Sequence, residues 1–269
     1  MVITGLVIVP ENQNICPTIY LENFYPKYEA GTDIQDILKD IVKLYLNNIA
    51  APSGFSNIEK DFKDIDFVKE RVIMVIVNGA KNEKLLSEVP YVEYEDLAII
   101  FKVYLEEDNG SMATITIRNE HLAFWGVTKE ELYEFAKKNT QVLLPVRVRS
   151  AKDVMLEMMG ICQDFSDEID WDMLDENPMI VISNKQRING ASAIFYEDVL
   201  STVAEKFGTD LYILPSSVHE CIAVPYDEER LEDFLQMVTE INATQLKIDE
   251  VLSDNVYYFN AETKTLKIA

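Results

Sequence analysis

Three cysteines, two histidines, two tryptophans and nine glycines in 269 residues leave little material for the commonest kinds of protein chemistry. Cys16, Cys162 and Cys221 are odd in number and contain no CxxC pair, which excludes a disulfide framework and a zinc ribbon and fits a reducing compartment. The glycines form neither a P-loop nor a GxGxxG fingerprint, and no serine sits in a G-x-S-x-G elbow. No stretch approaches the roughly 18–20 apolar residues of a membrane span. The opening MVITGLVIVPENQ lacks a basic n-region, a long apolar core and a small-residue cleavage site, so no secretory leader is expected.

Positive charge is scarce as well. Against 47 Asp and Glu stand 24 Lys and Arg, a net charge of −23. A field of that sign repels phosphate backbones and anionic bilayers, so neither nucleic acid nor membrane is expected as a direct partner. Arg147 and Arg149, on an alternating stretch, are the short basic exception. Such charge keeps a protein in solution, and it also fits an unidentified protein partner, a basic one by complementarity, or mimicry of nucleic acid by spaced carboxylates. With 48% hydrophobic and 26% charged residues the composition is globular. A soluble, cytoplasmic protein is expected.

What is present is a repeated pattern of strands and capped helices. Val2–Val9 and Cys16–Leu21 read as a hairpin around the turn-like 10–14 stretch, and Thr32–Ala50 as a helix with a Thr32/Gln35 capping box. There Ile34, Ile37, Leu38, Ile41 and Leu44 fall at helical spacing, predicting one buried face. The uninterrupted Val72–Val77 run predicts a buried strand. Leu97–Leu105 and Met112–Ile117 predict a hairpin through Asn109-Gly110. Thr128 and Glu131 announce a helix over 128–138, and 143–148 reads as a strand followed by a Met-rich helix to Gly160.

From Cys162 to Asn177 the chain carries seven acids and no base, interleaved with Phe165, Ile169, Trp171 and Leu174. It does not fit an EF-hand, since glycine and the closing Glu are misplaced. Beyond it come a strand at Met179–Ile182, a helix over Ala191–Phe207 stopped by Gly208, strands Leu211–Leu214 and Cys221–Val224 around a 215–220 turn, and a helix capped by Asp227. The chain ends in a hairpin of Val256–Phe259 and Thr265–Ile268. The fold class is α+β, with mostly antiparallel sheets and helices packed on them. The expected organisation is two successive α+β halves, 1–160 and 178–269, joined by an acidic linker at 161–177.

Candidate chemistry is thin. His219 and Cys221, if extended, lie about 7 Å apart on one face, too far for direct activation of the thiol. His121 and His219 are 98 positions apart, and spacing gives no support to a metal set built from them with Glu120 or Glu220. No catalytic residue, metal or cofactor is expected. Asn184, Lys185, Arg187, Asn189 and Gly190, ahead of an expected helix N-terminus, form the first place for a small anion. Ser216, Ser217, His219 and Glu220 in the following turn are expected to share a face with them. Asp164, Phe165, Asp167, Asp170, Trp171 and Asp172 are the candidate partner-binding residues of the acidic segment.

The strings VPYVEYEDLAIIFKVYL, ATITIRNEHLAFWGVTKEELYEFAKKNT, ISNKQRINGASAIFYEDVL and AEKFGTDLYILPSSVHECIAVP resemble a family of uncharacterised bacterial proteins, a domain of unknown function common in anaerobic Gram-positive gut bacteria. The likeness covers nearly the whole chain. The hairpin, the WGVTKEEL helix and the LPSSVHECIAVP hairpin are more distantly similar to a second unassigned Gram-positive cytoplasmic family. The resemblance implies no established activity and no catalytic residue. It also implies a further segment ahead of Thr4-Gly5-Leu6, and so a shortened form. The resulting expectation is a non-enzymatic protein-interaction module. The alternatives are a ligand-binding protein or enzyme with a site between the 184–190 loop and the 215–220 turn, and a nucleic-acid mimic.

Overall fold

Hydrophobic patterning places most elements where the computed structural model has them; it describes residues 4–8, 18–48, 58–106, 112–161 and 178–269. The chain forms two compact units, residues 1–65 with 105–113, and 66–104 with 114–269. The turn at 10–14, the Asn109-Gly110 loop and the acidic run 162–177 lie outside the described residues.

In the first unit β1 (Gly5–Val7) pairs antiparallel with β2 (Thr18–Tyr20), Leu6 opposite Ile19. A 3-10 turn and α1 (Tyr25–Glu29) lead to α2 (Ile34–Asn48). The helix starts one residue later than the expected capping box. The Asp33 carboxylate, rather than Thr32, accepts the Gln35 N–H at 2.8 Å, because a charged acceptor satisfies an orphan donor more strongly than a hydroxyl. Ile19, Ile37, Ile41 and Tyr45 make a small buried cluster, flanked by Leu6, Leu21 and Phe24. Helix α3 (Ile58–Lys63) follows.

In order, α4 (Ile65–Lys69), β3 (Val72–Asn78), α5 (Glu83–Leu86), β4 (Tyr91–Tyr94), β5 (Leu97–Glu106), β6 (Met112–Thr116), α6 (Asn119–Trp125) and α7 (Lys129–Leu143) follow. β5 pairs antiparallel with β3 and with β4, and β6 also pairs with it. Residues 72–76 are at most 2% exposed, as an unbroken apolar run predicts for a strand covered on both faces. The outer edge of β3 is closed by α7. Thr140 Oγ1 accepts the Met74 N–H at 2.9 Å, and Asn139 Nδ2 donates to the carbonyls of Lys69 and Val72 at 2.7 and 3.2 Å. Two polar residues on a helix thus satisfy backbone groups that would otherwise be an open edge. The start of α7 is the expected one, with Thr128 Oγ1 accepting the Glu131 N–H and the Glu131 carboxylate accepting the Thr128 N–H at 2.9 Å.

The remaining elements are β7 (Val146–Ser150), α8 (Ala151–Met158), β8 (Ile180–Asn184), α9 (Val199–Phe207), β9 (Leu211–Ser217), β10 (Glu220–Pro225), α10 (Leu231–Thr244), β11 (Tyr257–Asn260) and β12 (Thr265–Ile268). Their strands build a six-stranded antiparallel sheet in the order β12-β11-β9-β10-β8-β7. Helix α10 packs Phe234 and Val238 on Tyr212, Leu214, Val224 and Val256. β7 and β8 flank the acidic run and are neighbours in this sheet, Val148 opposite Ile182. The sheet therefore draws strands from both sides of the 161–177 stretch.

Two expectations are corrected. The helix expected over 191–207 is broken: residues 190–195 are 3-10, Tyr196 is extended, Asp198 has φ of +59°, and only then does α9 begin. At the break the buried Tyr196 hydroxyl donates to the Leu144 carbonyl at 3.0 Å. The 215–220 turn is also shorter than expected. β9 runs to Ser217 and β10 begins at Glu220, which leaves only Val218 and His219 between the strands.

Candidate functional site

The structure brings the 184–190 loop against the Val218–His219 turn. Ser183 Oγ donates to the His219 carbonyl at 2.8 Å, the Asn189 N–H donates to His219 Nδ1 at 3.1 Å, and the Ala191 N–H donates to the Val218 carbonyl at 3.3 Å. Fully buried Asn184 closes its own loop, donating to the Ile188 carbonyl at 2.8 Å and accepting the Ile188 N–H at 3.3 Å. Ser217 Oγ accepts the His219 N–H at 3.0 Å, and Ser216 Oγ lies 3.4 Å from Glu220 Oε1. Gly190 marks how tightly the two pieces meet. A Cβ there would stand 2.5 Å from the His219 carbonyl oxygen and 2.7 Å from the Asn184 nitrogen, and would overlap Ser183 Oγ.

The expected anion cradle is therefore revised. The N–H groups of Asn189 and Ala191, which an anion would need, are already donated to the turn, and the helix behind them is a six-residue 3-10 segment. Lys185 is exposed, and the Arg187 guanidinium pairs with Glu157 on α8. The same carboxylate takes Arg147 at 3.1 Å and lies 3.9 Å from Arg149. Arg187 first, and Arg147 with it, hold the Glu157 carboxyl below the usual carboxylate range. The basic residues of β7 and of the loop, read separately in the sequence, thus meet at one acid.

Each histidine uses its Nδ1 as an acceptor for a backbone N–H, His219 from Asn189. His121 Nδ1 accepts the Arg118 N–H at 3.0 Å at the start of α6, and burial lowers its pKa. Cys221 is 1% exposed within β10, and burial pushes its thiol up, away from the reactive thiolate. Among the described residues no three His, Cys, Asp or Glu side chains are grouped to hold a metal ion.

A second polar cluster was not anticipated. Asp96, in the turn between β4 and β5, accepts from Ser253 Oγ at 2.6 Å, from Asn255 Nδ2 at 3.1 Å and from the Tyr257 hydroxyl. Burial, and then the Asp96 contact, raise the Tyr257 pKa and keep that hydroxyl a donor. No sequence signal could have found it, since its members are about 160 positions apart. An open groove of about 500 Å³ beside it is lined by Glu83, Glu93, Glu95 and Tyr91.

An exposed apolar stripe lies in the first unit. Helix α2 spends Ile37, Ile41 and Tyr45 on its core, yet Ile34, Leu38, Val42 and Leu46 are 51%, 46%, 52% and 61% exposed. The prediction of a single buried face is corrected accordingly. At 100° per residue the apolar positions of α2 span an arc of roughly 200°, about twice the stripe that seats a helix on one neighbour. Val42 and Leu46 were the available signal, because adding them to the expected set makes the arc too wide for a single contact. Leu38, Val42 and Leu46 line a shallow groove of about 390 Å³ together with Lys39 and Lys43.

The fold is that of an α+β protein, and among the described residues α2 carries an exposed apolar stripe. Residues 1–261 match DUF5688, a family of unknown function, and the chain belongs to that family. Comparison with curated proteins and with solved structures returned no match. Among the described residues no helix is long and apolar enough to cross a membrane. The candidate partner residues Asp164, Phe165, Asp167, Asp170, Trp171 and Asp172 lie outside the described residues.

Proposed function

We propose that the chain is a non-enzymatic protein-interaction module and that the exposed stripe of α2 is its contact surface. One observation carries this reading: three aliphatic side chains at four-residue spacing, Leu38, Val42 and Leu46, each about half exposed, on a helix whose adjacent stripe already serves the core. Scattered exposed aliphatics need no explanation, whereas a contiguous row on one helix face marks a docking surface. The polar candidates support it from the other side, since the Asn189 and Ala191 N–H groups are donated to the Val218–His219 turn and Asn184 bonds within its own loop.

A photo-reactive amino acid placed at position 42 in expressing cells is expected to cross-link one predominant protein. The same group at Asp36, on the polar side of the helix, gives no such product, and adding Leu38→Gln with Leu46→Gln abolishes it. The identified protein, purified, then binds the wild-type chain and loses at least tenfold in affinity against the variant. Equal cross-linking from positions 36 and 42, or affinity unmoved by the glutamines, rejects the reading.

A further inference from the structure

The overall balance of −23 argues for a basic partner, but the α2 groove is a local exception. The charged side chains lining it are Lys39 and Lys43, and no carboxylate lines it. Lys39 is 76% exposed, and its ion pair with Asp36 at 2.7 Å joins two solvated side chains, an arrangement that water screens heavily. Asp40 pairs with Lys27 at 2.5 Å and does not line the groove, though Lys43 is near enough to help hold its carboxyl below the usual range. An apolar row of three anchors over about 12 Å of helix, edged by two ammonium groups, matches one kind of complement.

We propose that the partner element is an acidic amphipathic helix, seated with aliphatic side chains on Leu38, Val42 and Leu46 and carboxylates beside Lys39 and Lys43. This rests on the reading of α2 as a docking face and adds the chemistry of what docks. A second copy of the chain fits less well, because two-fold pairing of the same face sets Lys39 and Lys43 against their own counterparts. The protein's distant carboxylates do not forbid an acidic ligand at physiological salt, where charges beyond roughly 8 Å are largely screened and adjacent lysines are still felt.

The test uses the full chain and three synthetic helical peptides of one length. The first carries leucines at four-residue spacing flanked by glutamates, the second lysines in place of the glutamates, and the third serines in place of the leucines of the first. At 0.15 M salt the acidic peptide is expected to bind about tenfold more tightly than the basic one, and the serine peptide not at all. Lys39→Glu with Lys43→Glu should reverse that preference, and Leu38→Gln with Val42→Gln should abolish binding of both while the far-UV circular dichroism is unchanged. Equal or tighter binding of the basic peptide, still lost with the glutamines, overturns the acidic partner and leaves the docking face standing. Binding that survives the glutamines, absence of binding by any peptide, or a dimer that these glutamines dissociate, overturns both.

Discussion

Gly190→Ala is expected to lower the unfolding free energy by about 3 kcal/mol, the upper end of the usual cost of overpacking. The added methyl meets the His219 carbonyl oxygen at 2.5 Å and the Asn184 nitrogen at 2.7 Å. Both are backbone atoms of the six-stranded sheet and its turn, so no rotamer change can relieve the clash. The Ser183 hydroxyl, which also stands in the way, is held by its donation to the same carbonyl. In urea the midpoint should fall with little change in slope, because the loss is in native stability and not in the surface exposed on unfolding. A shift below about 0.5 kcal/mol, the range of ordinary surface changes, would mean that the loop and the turn do not meet as described.

Asp96→Ala should cost a similar amount, about 3 kcal/mol, by a different route. Ser253 and Tyr257 are 0% and 1% exposed, and both direct their hydroxyls at this carboxylate along with the Asn255 amide. Removing the acceptor leaves buried donors without their partner, which costs more than the net value of the hydrogen bonds themselves. Asp96→Asn keeps one carbonyl oxygen at the site and should recover part of the loss, and Tyr257→Phe should cost only about 1 kcal/mol. Chemical denaturation of the three variants measures the order directly, and an alanine variant no worse than the phenylalanine one contradicts the network.

How far the sequence anticipates the structure depends on how local each determinant is. The Thr128 capping box, the Gly208 stop and the Val72–Val77 run were legible because the interactions responsible lie within a few residues, or along one strand. Tyr196 shows the opposite case: its neighbours have good helical periodicity, yet the helix is broken where its hydroxyl meets the Leu144 carbonyl, 52 positions away. The same holds for the meeting of Arg147 and Arg187 at Glu157, which depends on β7 lying beside β8. The meeting of the 184–190 loop with the following turn was expected, and what the sequence did not convey was that the two saturate each other. For α2 the relevant residues were all visible, but of the five apolar positions assigned to one buried face only Ile37 and Ile41 are buried, and Ile34, Leu38 and Leu44 are exposed.

A docking role for α2 requires its exposed stripe to be surplus to the fold. Urea unfolding of the Leu38→Gln, Val42→Gln, Leu46→Gln variant tests that most directly. Side chains that face solvent contribute little to native packing, so the variant is predicted to stay within about 0.5 kcal/mol of the parent. A loss above about 2 kcal/mol, the scale of truncating a core residue, would show that the stripe is part of the hydrophobic core and contradict its assignment as a docking surface.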